Sequence, residues 1–228
     1  MQSFVASPPF KAYLFDLDGT LIDSVELILQ SYRHTTKTHL GKVLPDELWL
    51  AGMGTPLLKQ LGEFSDEPEV IEAMLSTYRA FNNKHHDDMV TVFPGAVAAV
   101  RTLSSWGVKL GVVTSKARSG AQRGLRVCGF GDLFPVLVGV DDVERPKPDP
   151  SPVLHAIEQM GVEPSETVFI GDSAHDMAAG RAAGVSTGAA LWGPIERHVL
   201  ELHEPDYWLE TPGDVVSLPR PTRPTKVE

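Results

Sequence analysis

Three short apolar runs each end in polar residues able to do chemistry, and this pattern constrains the fold more than any other feature. Ala12-Tyr13-Leu14-Phe15 runs into Asp16, Leu110-Gly111-Val112-Val113 into Thr114-Ser115-Lys116, and Thr167-Val168-Phe169-Ile170 into Gly171-Asp172. The runs are continuous rather than alternating, as expected of strands covered on both faces in a parallel sheet. Two further strands are expected at 136–140 and 186–191. Helical spacing fills the gaps. Val97, Val100 and Leu103 form one stripe within 95–105, Val153, Ile157 and Met160 form another within Ser151–Met160, and the Ala-rich segment 174–183 stops at Gly184. Strand and helix in alternation predict a doubly wound α/β sheet, whose working residues gather beyond the carboxyl ends of the strands.

The alternation breaks once. Residues 24–92 show no strand, only helical stripes at Val25 and Leu29 and over 70–81, which predicts a helical insertion with 91–94 as the return hinge. The expected division is therefore a core of 1–23 and 93–216 with 24–92 inserted after the first strand. Residues 217–228 carry Pro219, Pro221 and Pro224 with almost nothing apolar, and are expected to form a mobile tail.

Composition removes several function classes. The 228 residues suffice for a substantial core without covalent staples. No stretch approaches the roughly 18 apolar residues of a membrane span, and MQSFVASPPFKA lacks a charged segment followed by an apolar one, so neither membrane insertion nor secretion is expected. A cytoplasmic setting follows as the expectation. Cys128 is the single cysteine, which excludes an internal disulfide and a multi-cysteine zinc site. With 20 Lys+Arg against 30 Asp+Glu, the formal charge is −10, which argues against coating nucleic acid. Such a chain can handle phosphate only by local neutralisation, through a metal ion or a few placed cations.

The segment Asp16-Leu17-Asp18-Gly19-Thr20 sets two acids side by side at a strand end, where like charges in a dry site repel. A divalent cation relieves that repulsion, and hard oxygen ligands favour Mg²⁺. Taken alone, the same five residues also fit an Asp-Gly turn with a helix cap; the continuation Leu21-Ile22-Asp23-Ser24 favours the chemical reading.

The stretch from Phe15 to Ser24 resembles the first motif of the haloacid dehalogenase superfamily, in its phosphatase branch. Thr114 after an apolar strand, Lys147 in Lys147-Pro148-Asp149-Pro150, and Gly171-Asp172-Ser173-Ala174-His175-Asp176 follow in the order of that superfamily's other motifs. The resemblance implies a Rossmann-like core with an inserted α-helical cap, Mg²⁺ as cofactor, and a small phosphorylated substrate. It implies neither nucleic acid nor membrane as partner, and a monomer or homodimer. By the same resemblance Asp16 is the nucleophile, Asp18 the general acid and base, and Thr114, Ser115 and Lys147 the phosphate-binding residues. Asp16, Asp172 and Asp18, the last through its main-chain carbonyl, are the metal ligands. Asp176 either supports the metal from outside or orients Lys147, although an acid in the first turn of a helix needs no such role. Ser115 and Lys116 suit substrate contact and an exposed surface about equally. The polar stretch from Tyr78 to Asp88 reads as a solvated helix end or as a substrate surface of the cap, with Arg79, Asn82 and His86 as its candidates. Gly52-Met53-Gly54-Thr55 is expected to be a cap loop facing the site. The 78–88 stretch, with Thr114-Ser115-Lys116-Ala117-Arg118 and Val140-Asp141-Asp142-Val143-Glu144, resembles bacterial inorganic pyrophosphatases of the superfamily, close relatives of the phosphoglycolate phosphatases. A mutase resembling β-phosphoglucomutase shares every core motif and is the alternative.

Overall fold

A computed structural model describes residues 8–219 of the chain. Strand β1 (Ala12–Phe15) leads through β2 (Ile22–Asp23) into four helices, α1 (Val25–Leu40), α2 (Asp46–Ala51), α3 (Leu57–Leu61) and α4 (Pro68–Met89), and the chain returns along β3 (Thr91–Val92). Then follow α5 (Ala96–Ser105), β4 (Lys109–Val113), α6 (Arg118–Val127), β5 (Val136–Val138), α7 (Ser151–Met160), β6 (Thr167–Gly171), α8 (Ala174–Ala182), β7 (Ser186–Ala190), α9 (Arg197–Glu201) and β8 (Tyr207–Leu209). The main sheet has the order β5-β4-β1-β6-β7-β8, and every neighbouring pair is parallel. Growth from β1 goes first to β4 and β5, then reverses to β6, β7 and β8, so the switch of direction falls at β1.

The unbroken apolar run of β1 has a direct cause. Tyr13 and Phe15 join one buried cluster with Val100 and Leu103 of α5 and Leu125 of α6. Ala12 and Leu14 join the opposite cluster with Val153 and Ile157 of α7 and Ala179 of α8. Both faces exclude water, so neither parity of the strand can be polar. The four inserted helices bury a core of their own, with Leu29, Leu61, Met74 and Leu75 around an aromatic group in which Trp49 lies 4.4 Å from Tyr32 and 5.7 Å from Tyr78, ring centre to ring centre.

The structure corrects the sequence reading in four places. Residues 91–94 are more than a hinge: β3 pairs antiparallel with β2, setting Ile22 opposite Val92 and Asp23 opposite Thr91, so the two crossings to the insertion form one ribbon. Strands of two residues are too short to show any period. Strand β8 escaped notice because only Leu209 is buried while Tyr207 and Trp208 are half-covered, as suits a sheet edge. Strand β5 stops at Val138, and Val140–Asp142 forms a 3₁₀ turn. Finally, Leu218 of the expected tail is buried with Val215 in the main core, and residues from 220 onward lie outside the described part. Among the described residues no helix is long and apolar enough to cross a membrane.

Candidate active site

The carboxyl ends of β1, β4 and β6 converge. The backbone N–H of Asp16 donates to the Ile170 carbonyl at 2.8 Å, which ties the end of β1 to that of β6. Asp172 follows β6 directly, and Asp176 is placed by a capping box on α8. The Ser173 N–H and hydroxyl donate to Asp176 Oδ2 at 3.0 and 2.6 Å, while the Asp176 N–H donates to Ser173 Oγ at 3.3 Å. The other Asp176 oxygen, Oδ1, accepts from Lys147 Nζ at 2.6 Å. Lys147 is fully enclosed, and its ammonium also donates to Asp16 Oδ1 at 2.9 Å and to the Val113 carbonyl at 3.1 Å, so three acceptors from three elements use its three protons.

One oxygen from each of Asp16, Asp172 and Asp176 lies within 4.8 Å of the others, all three residues buried. Three carboxylates against one ammonium leave an excess of negative charge. Burial, with Asp176 beside it, pushes the Asp16 carboxyl up to about 7 even though Lys147 pulls the other way. Burial likewise raises Asp172 well above the carboxylate range, with Asp16 and Asp176 adding to it. A donor set made only of carboxylate oxygens, in surplus over its cations, fits a hard divalent ion such as Mg²⁺. The chain reaches this packing through Gly19 (φ +85°), where a Cβ would fall 2.3 Å from Asp172 Oδ2. Next to it the Thr20 hydroxyl donates to Asp172 Oδ1 at 2.7 Å.

Asp18 occupies different surroundings. Its carboxylate points away from the cluster and accepts from Ser24 Oγ at 2.6 Å and Lys116 Nζ at 2.9 Å. Burial opposes ionisation there, but Lys116 and Ser24 prevail and hold the carboxyl below its ordinary value. Among the expected metal ligands, Asp16 and Asp172 bring carboxylates to the cluster, while the Asp18 side chain does not. Asp176, expected outside it, joins the cluster and orients Lys147 as well.

Thr114 is buried at the end of β4, and its Oγ1 accepts from the Lys116 N–H at 3.1 Å. Ser115 is engaged elsewhere: its hydroxyl donates to the Gly54 carbonyl at 2.6 Å, joining core to insertion. The glycine loop does face the site, since Thr55 Oγ1 lies 3.3 Å from His175 Nε2. Of the three insertion candidates, His86 is buried, and Asn82 donates to Ser31 Oγ at 3.2 Å. Arg79 is exposed. Sequence reasoning missed Tyr78, buried one turn before Asn82, whose hydroxyl is pushed up by burial and by nearby Asp18. It also left Lys116 undecided. For Tyr78 the available signal was spacing: 78, 82 and 86 recur every four residues, on one side of α4.

Strand-end carboxylates locked around a buried lysine, at the switch point of a parallel sheet, define an α/β enzyme with an acidic reaction centre. The chain belongs to the haloacid dehalogenase-like hydrolase family, whose pattern matches residues 13–190. It is 40% identical over 207 residues to pyrophosphatase PpaX of Bacillus velezensis, covering 91% of this chain and 95% of that one. It is 38% identical over 205 residues to pyrophosphatase PpaX of Anoxybacillus flavithermus, covering 90% and 94%. Among solved structures, a haloacid dehalogenase-like family hydrolase from Streptococcus pneumoniae superposes with a TM-score of 0.80 at 27% identity, covering 92% of this chain and 98% of its own.

Proposed function

We propose that the chain is a Mg²⁺-dependent phosphohydrolase acting through an aspartyl-phosphate, with pyrophosphate as first substrate and 2-phosphoglycolate or a similar small phosphomonoester as second. Membership of the family and its pyrophosphatase relatives support the hydrolase class. The observation that carries the mechanism is the opposite treatment of two aspartates two residues apart. Asp16 sits in the acidic cluster on Lys147, while Asp18 stands outside it on Lys116 and Ser24. A divalent ion on the cluster would ionise Asp16 for attack, while Asp18 stands clear of that cluster and faces the departing oxygen.

In this reading the Asp16 carboxylate attacks phosphorus and Asp18 gives a proton to the departing oxygen, later taking one from the hydrolytic water. Thr114 and Lys147 hold the non-bridging oxygens. Asp16, Asp172 and the Asp18 main-chain carbonyl would hold the Mg²⁺, which when bound neutralises charge developing on the phosphoryl group. Asp176 keeps Lys147 in place. The test is phosphate release with Mg²⁺ from pyrophosphate, 2-phosphoglycolate, sugar phosphates and nucleotides. Orthophosphate from pyrophosphate or a small monoester is the expected result. Isomerisation of a sugar phosphate that needs a bisphosphate primer would instead establish a mutase, and no turnover of any of them would end the enzymatic reading.

A further inference from the structure

The seam between α4 and α6 holds a chain of three side chains that the reaction above leaves unused. Arg123 of α6 donates through Nη1 to the Asn83 carbonyl at 3.0 Å, and its Nε lies 2.8 Å from Asp87 Oδ1. His86 Nδ1 lies 2.8 Å from the same oxygen. Arg123 holds the Asp87 carboxyl below its usual range, so this group is an ionised, acceptor-only carboxylate. The proton of the His86–Asp87 bond therefore sits on Nδ1. Nε2 is then the lone-pair side of the ring, and it is buried with no hydrogen-bond partner among the described residues, in a residue only 2% exposed. A Cβ on Gly124 of α6 would lie 3.8 Å from it, and the charges of Asp18 and Lys116 both reach the ring. A buried acceptor without a donor is uncommon in folded proteins and calls for an explanation.

We propose that Arg123 and Asp87 are positioning residues: by fixing the tautomer of His86 they keep a bare imidazole acceptor beside Asp18, ready for an O–H carried by the leaving group. This rests on the phosphohydrolase reading, in which Asp18 faces the leaving oxygen. It also narrows the substrate class, since a leaving group with a hydroxyl donor, such as hydrogen phosphate or a hydroxy acid, satisfies Nε2 and an aprotic one does not. Arg123 belongs to the core and Asp87 and His86 to the insertion, so the relay exists only while the two are seated together. A neutral ring adds no second cation beside Lys116, which stays committed to Asp18.

The experiment uses the full ¹⁵N-labelled chain and long-range ¹H–¹⁵N correlation of its imidazoles in wild type, Arg123→Gln and Asp87→Ala. The expected wild-type signal is a single His86 tautomer protonated on Nδ1, turning into a mixture in both variants. In parallel, kcat/KM for pyrophosphate should fall about tenfold in Arg123→Gln, the size of one lost charge-assisted contact. In a His86→Gln background the same change should cost nothing more, because the residue through which it acts is gone. A wild-type His86 protonated on Nε2, unchanged tautomers in both variants, or losses that multiply in the double variant would each overturn the proposal. If wild type leaves pyrophosphate intact, that substrate reading falls by itself, and the tautomer measurement still decides the relay.

Discussion

Lys147 is paired with both Asp16 and Asp176, and replacing Asp16 or Lys147 has a different consequence. Asp16→Asn keeps the volume and a hydrogen-bond acceptor for Lys147, so folding should survive while turnover disappears; a thermal melt beside an activity assay checks both. Lys147→Ala instead leaves the Asp16 and Asp176 carboxylates buried without their cation. Removing one partner of a buried ion pair costs about 3–5 kcal/mol. The variant should therefore melt at a lower temperature and lose on the order of a hundredfold or more in rate. Added Mg²⁺ should restore part of the stability but not the rate, since the ion answers the repulsion and not the phosphate contact proposed for Lys147.

At the scale of elements, two junctions decide how the site is framed. The first joins the end of β5 to the first turn of α6. Asp142 accepts from the Gly139 N–H at 2.8 Å and from Arg118 Nε at 3.0 Å, and although burial opposes it, these partners hold its carboxyl below the ordinary value. A carboxyl with a lower pKa in the folded state stabilises above its unfolded value of about 3.9, and that contribution is lost as pH falls through the folded value. Asp142→Asn should thus cost about 1 kcal/mol at neutral pH and progressively less towards about pH 3, measured by urea denaturation at several pH values. The second junction is the glycine loop of the insertion. Gly54 has φ +88°, a Cβ on it would lie 2.7 Å from Ser173 Oγ, and its carbonyl takes the Ser115 hydroxyl. Because Ser173 also caps α8 and fixes Asp176, Gly54→Ala should disturb catalysis more than folding. The expected outcome is a fall in kcat/KM of about tenfold or more, with a stability loss of only about 1–2 kcal/mol from the left-handed backbone.

For the whole molecule, the acidic cluster makes stability depend on a cation. Among the described residues Lys147 is the one cation paired with this cluster of Asp16, Asp172 and Asp176, so a bound divalent ion that the unfolded chain does not hold should raise the melting temperature. At one hundred times the dissociation constant the gain is about 2.7 kcal/mol. A calorimetric scan with and without Mg²⁺ should show this shift in wild type and much less of it in Asp172→Asn. An equal shift in both would place the ion elsewhere. The same geometry explains how insertion and core communicate. Ser115 and Arg123 reach from the core to Gly54 and Asp87 of the insertion, and β2 pairs with β3 where the chain enters and leaves it.

How much of this was legible without coordinates follows from the range of the forces involved. Asp16, Thr114 and Asp172 stood out because a strand buried on both faces must be apolar, so the polar residues just after it are conspicuous; Lys147 follows no strand and was marked only by the family resemblance. The helical nature of the insertion was readable from local periodicity. The partners of Asp18, Ser115 and Arg123, the approach of Tyr78 and His86 to Asp18, and the two-residue ribbon left no local trace. Each depends on groups distant in sequence meeting at about 3 Å, where hydrogen bonding acts. Sequence therefore determined which residues carry charge at the ends of which strands. Only tertiary packing decided which of those charges face each other, because burial and pairing, not residue type, set where a proton stays.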